Sequence, residues 1–288
     1  MNNFHTAPNT FVEHLHLYVR DFDTSFNYYQ SLFGFNIIQQ TEDKAVFSVD
    51  GKRPVLIIEQ GDHVFRGDRV AGLYHFAILL PERKDLGAFL AHLIKNNQRF
   101  GGTDGMTQES IYFSDPDGNG IEVYADKDAS TWVWENGQLV FPKPPAPSNE
   151  PINLEDVLAE AGGKVWDGVP EKTVLGHLHL RVTDMEKNGE FYIKGLGLDV
   201  VLDYGNVALF LATGRYHHHI AINIFQGPST FNENQEKVGM GYYSLKLPSE
   251  KARTETVRRL QELNYKVESK DNIYLTEDPS GNKVQLII

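Results

Sequence analysis

The sequence predicts an α+β protein built from four modules of strand, helix and three strands (βαβββ), paired into two similar domains. Three observations carry this. The segment HLHLYVRDFDTSFNYYQSLFGFNII from His14 recurs 163 residues later, from His177, as HLHLRVTDMEKNGEFYIKGLGLDVV. SDPDGNGIEVY around Asp115 recurs as EDPSGNKVQLI around Asp278 at the same offset, and two matches at one offset mark an internal duplication. Finally, each half itself reads as two smaller units with their elements in the same order.

In the first unit, residues 15–19 alternate as a strand, and residues 22–32 follow with apolar side chains at helical spacing and Gly34 as the stop signal. Strand-like runs at 35–39, 44–49 and 55–59 come next, broken by charged residues and by the turn pair Asp50-Gly51. The second unit opens with the strand YHFAILL from Tyr74, continues with a helix over 84–95 and ends in the strand GNGIEVYA. The DPDG run at Asp115 and its copy at Asp278 are hairpin signals. Between the halves, Pro142, Pro144, Pro145, Pro147 and Pro151 suit an extended connector, with room for one short helix over 153–161. The expected boundaries are 1–135 for the first domain, 136–171 for the connecting segment and 172–288 for the second domain.

With 288 residues, 41% of them hydrophobic and 23% charged, the chain can bury two ordinary cores. No apolar run approaches the roughly 18 residues of a membrane span, and the first ten residues have neither an apolar stretch nor a basic cluster. A cytoplasmic location without membrane partners is expected. The net charge of −12 argues against nucleic acid as a partner, since phosphate binding needs a concentrated Lys/Arg surface. There is no cysteine, so any metal must be held by histidine and carboxylate.

Side chains alternate along a strand, so His14 and His16 share a face, as do His75 with Ala77 and Glu122 with Tyr124. If the strands curve around a cavity, His14, His75 and Glu122 converge as two imidazoles and one carboxylate. That set suits non-haem Fe(II) with positions left open for substrate. Spacing alone leaves other readings open. A single strand histidine is more often a hydrogen-bonded core residue, and a glutamate beside a turn is usually solvated.

The order of elements and the repeated phrases resemble the vicinal oxygen chelate superfamily, which includes glyoxalase I, the bleomycin and fosfomycin resistance proteins and type I extradiol dioxygenases. The resemblance covers nearly the whole chain, and within the superfamily the likeness is greatest to catechol 2,3-dioxygenases of the Bacillus type. It implies that each domain is a curved, incompletely closed mixed β-sheet barrel with flanking helices. It places one ligand seven residues before the Asp that opens the first helix, hence His14 before Asp21, the second at His75 in LYHFAILLP, and the third at Glu122 in DPDGNGIE. In the second half His177 matches, but Tyr242 and Gln285 stand where His75 and Glu122 stand in the first. That half is therefore expected to have lost its metal. His217, His218 and His219 resemble a histidine-bearing strand of the family, on which His217 and His219 would share a face, and a further site with His177 stays open.

The implied activity is extradiol ring cleavage of a small aromatic diol by O2. Fe(II) is the implied cofactor, with Mn(II), Zn(II) and Ni(II) as alternatives. Tyr112, ten residues before Glu122, would orient the catecholate oxygen, and His16 would serve as a supporting group or acid. The family also carries a histidine a few residues before the Ile111-Tyr112 pair that directs oxygen; here Gly105, Asp104 and Thr103 occupy that stretch. Two alternatives follow. A glyoxalase-like isomerase or thiol transferase would need a fourth protein ligand, for which Glu59 is the misaligned candidate, and a non-enzymatic binder would need only the cavity. A homodimer is compatible with this reading but is not required to complete the site.

Overall fold

The computed structural model describes residues 4–61, 70–140, 150–230, 239–270 and 272–288. The first module comprises β1 (Phe11–Val19), α1 (Phe22–Phe33), β2 (Asn36–Gln40), β3 (Lys44–Ser48) and β4 (Pro54–Gln60). The second comprises β5 (Gly72–Leu79), α2 (Arg83–Lys95), β6 (Gly101–Asp104), β7 (Gln108–Ser114) and β8 (Gly120–Asp126). The connector adds the short strands β9 (Trp134–Glu135), β10 (Gln138–Leu139) and β11 (Glu150–Pro151) and the helix α3 (Leu154–Glu160). The third module has β12 (Val174–Arg181), α4 (Met185–Glu190), β13 (Asp199–Asp203), β14 (Ala208–Ala212) and β15 (Ile220–Asn223). The fourth has β16 (Gly239–Lys246), α5 (Glu250–Glu262), β17 (Val267–Lys270), β18 (Ile273–Glu277) and β19 (Lys283–Ile287). No helix among the described residues is long and apolar enough to cross a membrane.

Two similar mixed sheets form, but each takes one module from each half of the sequence. One sheet runs β17-β18-β19-β16-β1-β4-β3-β2, joining the fourth module to the first. The other runs β11-β6-β7-β8-β5-β12-β15-β14-β13, joining the second module to the third. Within a module, the opening strand pairs on one side with the module's own last strand and leaves its other edge unsatisfied. The antiparallel pairs β1 with β16 and β5 with β12 close those edges, with His16 opposite Tyr242 and His179 opposite His75. Assigning both modules of one half to one domain is thereby corrected: the repeat runs along the chain, while the sheets are built across it.

The helices tie each half together in a different way. Asp21 caps α1 by accepting from the Thr24 backbone N–H at 2.8 Å, and its copy Asp184 caps α4 by accepting from Lys187 at 3.0 Å. Asp115, in the DPDG turn, accepts from the Asn119 backbone N–H at 2.7 Å and from the Tyr29 hydroxyl of α1 at 2.6 Å. Asp278 repeats this with Asn282 at 2.9 Å and Tyr192 at 2.8 Å. The repeated turn is thus a buried clasp between consecutive modules rather than an ordinary surface reversal. Behind the sheets, side chains such as Leu15, Leu17, Phe33, Phe89, Leu178 and Leu180 form one continuous buried core. Burying each contributes on the order of 1.5–3 kcal/mol.

Candidate metal centre

Three adjacent strands, β8, β5 and β12, build the site. Register places His177, Ala77 and Glu122 in one row across these strands, and His179, His75 and Gly120 in the neighbouring row of the same face. The small residues make the arrangement fit: a Cβ on Gly120 would lie 2.9 Å from that of His75 and 2.5 Å from the Tyr74 carbonyl oxygen. Glu122 Oε2 lies 3.0 Å from His75 Nε2 and 3.1 Å from His177 Nε2. One ring nitrogen from each of His75, His177 and His179 falls within 4.8 Å of the others, and all three residues are buried. The other carboxylate oxygen, Oε1, accepts from Gln108 Nε2 and Ser110 Oγ, each at 2.6 Å. Those two donors from β7 turn Oε2 toward the imidazoles, the supporting role that residues around a metal ligand commonly play.

The charge state suits a divalent cation. Burial alone would raise the Glu122 carboxyl pKa, but the His177 and His75 rings outweigh it and hold it well below the usual carboxylate range. Burial lowers His177 to about 4 against the opposing pull of Glu122, and lowers His179 further, with help from His75 and His177. His75 Nε2 is buried and, although close to Glu122, makes no aligned hydrogen bond. His177 and His179, held neutral by burial, His75 with its Nε2 making no aligned hydrogen bond, and an ionised Glu122 form a donor set for a metal such as Fe(II), Mn(II) or Zn(II).

His14 does not join this set. It lies on β1 in the other sheet, where Ser244 sits 2.8 Å from its Nδ1 and donates on to nothing in the cluster around Glu122. His177, read from the sequence as the remnant of a lost site, occupies the corresponding place beside His75 and Glu122. His16 is displaced for the same reason. Its Nε2 is 3.1 Å from Glu59, which also accepts from Lys44 at 2.7 Å, and its ring stacks on Tyr242 at 4.7 Å. The pseudo-symmetric counterpart of the His177, His75 and Glu122 set is therefore His14, Tyr242 and Gln285, with the Lys44–Glu59 ion pair beside Tyr242.

Tyr112 lies beside the cluster. It pairs with Glu122 across β7 and β8, its ring lies 5.8 Å from His75, and burial raises its hydroxyl pKa so that it remains a donor. The three consecutive histidines are not a strand: they precede β15 in irregular backbone, so strict alternation fails. His217 Nδ1 and His218 Nδ1 are 2.7 Å apart, and His217 Nε2 lies 3.0 Å from Asp126. His219 points elsewhere, toward the Phe4 carbonyl at 3.1 Å. His218 was missed as a site residue. Its Nε2 is 3.1 Å from His179 Nε2, and its ring centroid is 4.0 Å from that of His177. Gly105 lines the same cavity as His218, so an imidazole absent from the expected stretch of the first half arrives from the second.

A family model described as the glyoxalase/bleomycin resistance protein/dioxygenase superfamily matches residues 11–123 and 174–286. The catechol-2,3-dioxygenase of Bacillus subtilis (strain 168) is 36% identical over 285 residues, covering 97% of this chain and 98% of that protein. Among solved structures, a putative dioxygenase from Bacillus subtilis superposes with a TM-score of 0.66 at 11% identity, covering 96% of this chain and 84% of the other. Glyoxalase I from Zea mays superposes with a TM-score of 0.55 at 16% identity, covering 96% and 92%. These two likenesses concern the fold. Repeats, sheets and sequence agree, and the chain belongs to the glyoxalase/bleomycin resistance protein/dioxygenase superfamily.

Proposed function

We propose that the protein is an Fe(II)-dependent extradiol dioxygenase that opens a catechol ring next to its diol. The observation that carries this is the convergence of His75, Glu122 and the fully buried His177, the first two of which line a cavity wide enough for an aromatic ring. The resemblance to a catechol-2,3-dioxygenase supports the reaction class. When bound, iron supplies open coordination positions for a chelating diol and for O2.

The chain's own groups do the rest. Tyr112, protonated and lining the cavity beside His75, donates to the diol oxygen on its side and fixes the ring's orientation. His218, buried and neutral with its Nε2 3.1 Å from that of His179, stands where it can take the proton that a diol gives up on chelation and return it as the ring opens. His218 thus fills the role for which the first half offers only Gly105. Phe210, with its ring 5.4 Å from that of His179, helps exclude water from that side.

The test is anaerobic loading with Fe(II), followed by addition of catechol and air. Uptake of one O2 per catechol with a yellow ring-opened semialdehyde supports the proposal, and a loaded protein that consumes no O2 overturns it. A second reading has one observation in its favour: His179 offers a fourth protein donor, as a glyoxalase-like isomerase needs. Isomerisation of a hemithioacetal by the same protein, without O2 uptake, would select that reading.

A further inference from the structure

The cavity above Glu122 has two unlike sets of lining residues. Its volume is about 550 Å³, within the range of ~300–1,000 Å³ typical of pockets that enclose drug-sized ligands. A single diol ring leaves much of that space unfilled. The floor is polar, with His75, Glu122, Gln108, Ser110 and Tyr112. The lining also holds an apolar set, Leu202, Phe210 and Phe225 from the second half of the chain with Met106 and Leu139, interrupted by Tyr204, Thr103 and Thr107.

The apolar wall starts directly beside the imidazoles and runs outward. Phe210 packs against His218 at 5.1 Å, and the Tyr74 ring bridges His75 at 5.5 Å to Phe225 at 5.9 Å. Phe225 is 45% exposed and stands at the mouth. Among the described residues no Lys or Arg lines the cavity, and the one formal charge there is Glu122. Arg181 is held behind the Tyr74 ring, 5.1 Å from its centroid, and donates to the Leu73 carbonyl at 3.1 Å. A carboxylate on the distal part of a ligand would lose its water against these side chains and gain no cationic partner among the described lining residues, which is costly.

We propose that this cavity selects vicinal ring diols bearing an uncharged, extended apolar substituent and rejects those bearing a carboxylate, with Leu202, Phe210 and Phe225 as the specificity-determining side chains. The inference rests on the ring-cleavage reading for its diol end. Its own content is the chemistry of the distal end.

The experiment compares butylcatechol, phenylcatechol, catechol and 3,4-dihydroxybenzoate with the Fe(II)-loaded protein, by calorimetric binding without oxygen and then by O2 uptake. The expected kcat/KM for the two apolar-substituted diols exceeds that for the benzoate by at least about tenfold, the discrimination that added methylenes gain in an apolar pocket. Leu202→Arg is expected to narrow or reverse that ratio, while Leu202→Ala lowers turnover of butylcatechol and leaves the benzoate poor. Equal or better turnover of 3,4-dihydroxybenzoate by the unaltered protein would overturn the inference and leave ring cleavage standing. Tight binding of the apolar diols without any O2 uptake would overturn ring cleavage and support the selection, and failure to bind any of the four would overturn both.

Discussion

Glu122 shows how much depends on a single side chain here. Its two oxygens do different things: Oε1 is held by Gln108 and Ser110, and Oε2 faces His75 and His177. Gln108→Ala should therefore weaken metal binding by about 10–100-fold without unfolding the protein, measured by competition with a chelator. Tyr112→Phe should leave metal content unchanged and lower kcat by about 10²-fold, because only the donor to the reacting diol is removed. Protonation adds a condition on stability. Burial lowers both His14 and His177 to about 4, whereas an unfolded histidine titrates near 6.5. Between those values the unfolded chain binds more protons, so stability rises with pH across the window and is lost as pH falls from about 6.5 toward 4. Denaturant titrations of metal-free protein at pH 7 and pH 5 should show the drop, and His14→Gln should reduce it by the share that His14 contributes. At this scale the sequence was informative about residue type: His75 in LYHFAILLP, Glu122 after the DPDG turn and Tyr112 before it follow from the family resemblance, and in the structure they lie beside one another. His218 was not legible, because irregular backbone rather than a strand carries it: alternation groups His217 with His219, whereas His217 and His218 line the cavity and His219 points away.

At the scale of elements, the strand and helix order was legible almost throughout. The α1 helix, for example, is announced by Asp21 at its N-cap and Gly34 at its end, and the structure uses both. What spacing could not show is that the turn aspartates are buried. Asp115 and Asp278 each receive a tyrosine hydroxyl from the helix of the preceding module. Removing that donor leaves a buried carboxylate short of one hydrogen bond, so Tyr29→Phe and Tyr192→Phe should each cost about 1–3 kcal/mol in urea unfolding. Equal stability of the variants would show that these clasps carry no weight.

For the whole molecule, the decisive feature is which strand edges meet. Nothing in the local pattern of β1, β5, β12 or β16 says which partner each edge takes, since all four carry similar alternation and are buried on both faces. A long-range choice of this kind is made by packing of complete modules and by the reach of the connector. The signal that could have helped was the incompleteness of both copies: His75 and Glu122 lack equivalents in the second half, while His14 and His177 are interchangeable by the repeat. Because both sheets are built across the halves, fragments 1–140 and 150–288 should each be insoluble or unfolded alone and should recover activity when produced together.

The central claim, that the metal lies between the halves and not within the first, comes down to one comparison of metal content. Purified His177→Ala and His14→Ala, each loaded with Fe(II) and measured for bound metal per chain, separate the two arrangements. The structure predicts that His177→Ala loses its metal while His14→Ala retains one equivalent. A His177→Ala protein that stays fully loaded beside a His14→Ala protein that is empty would contradict it.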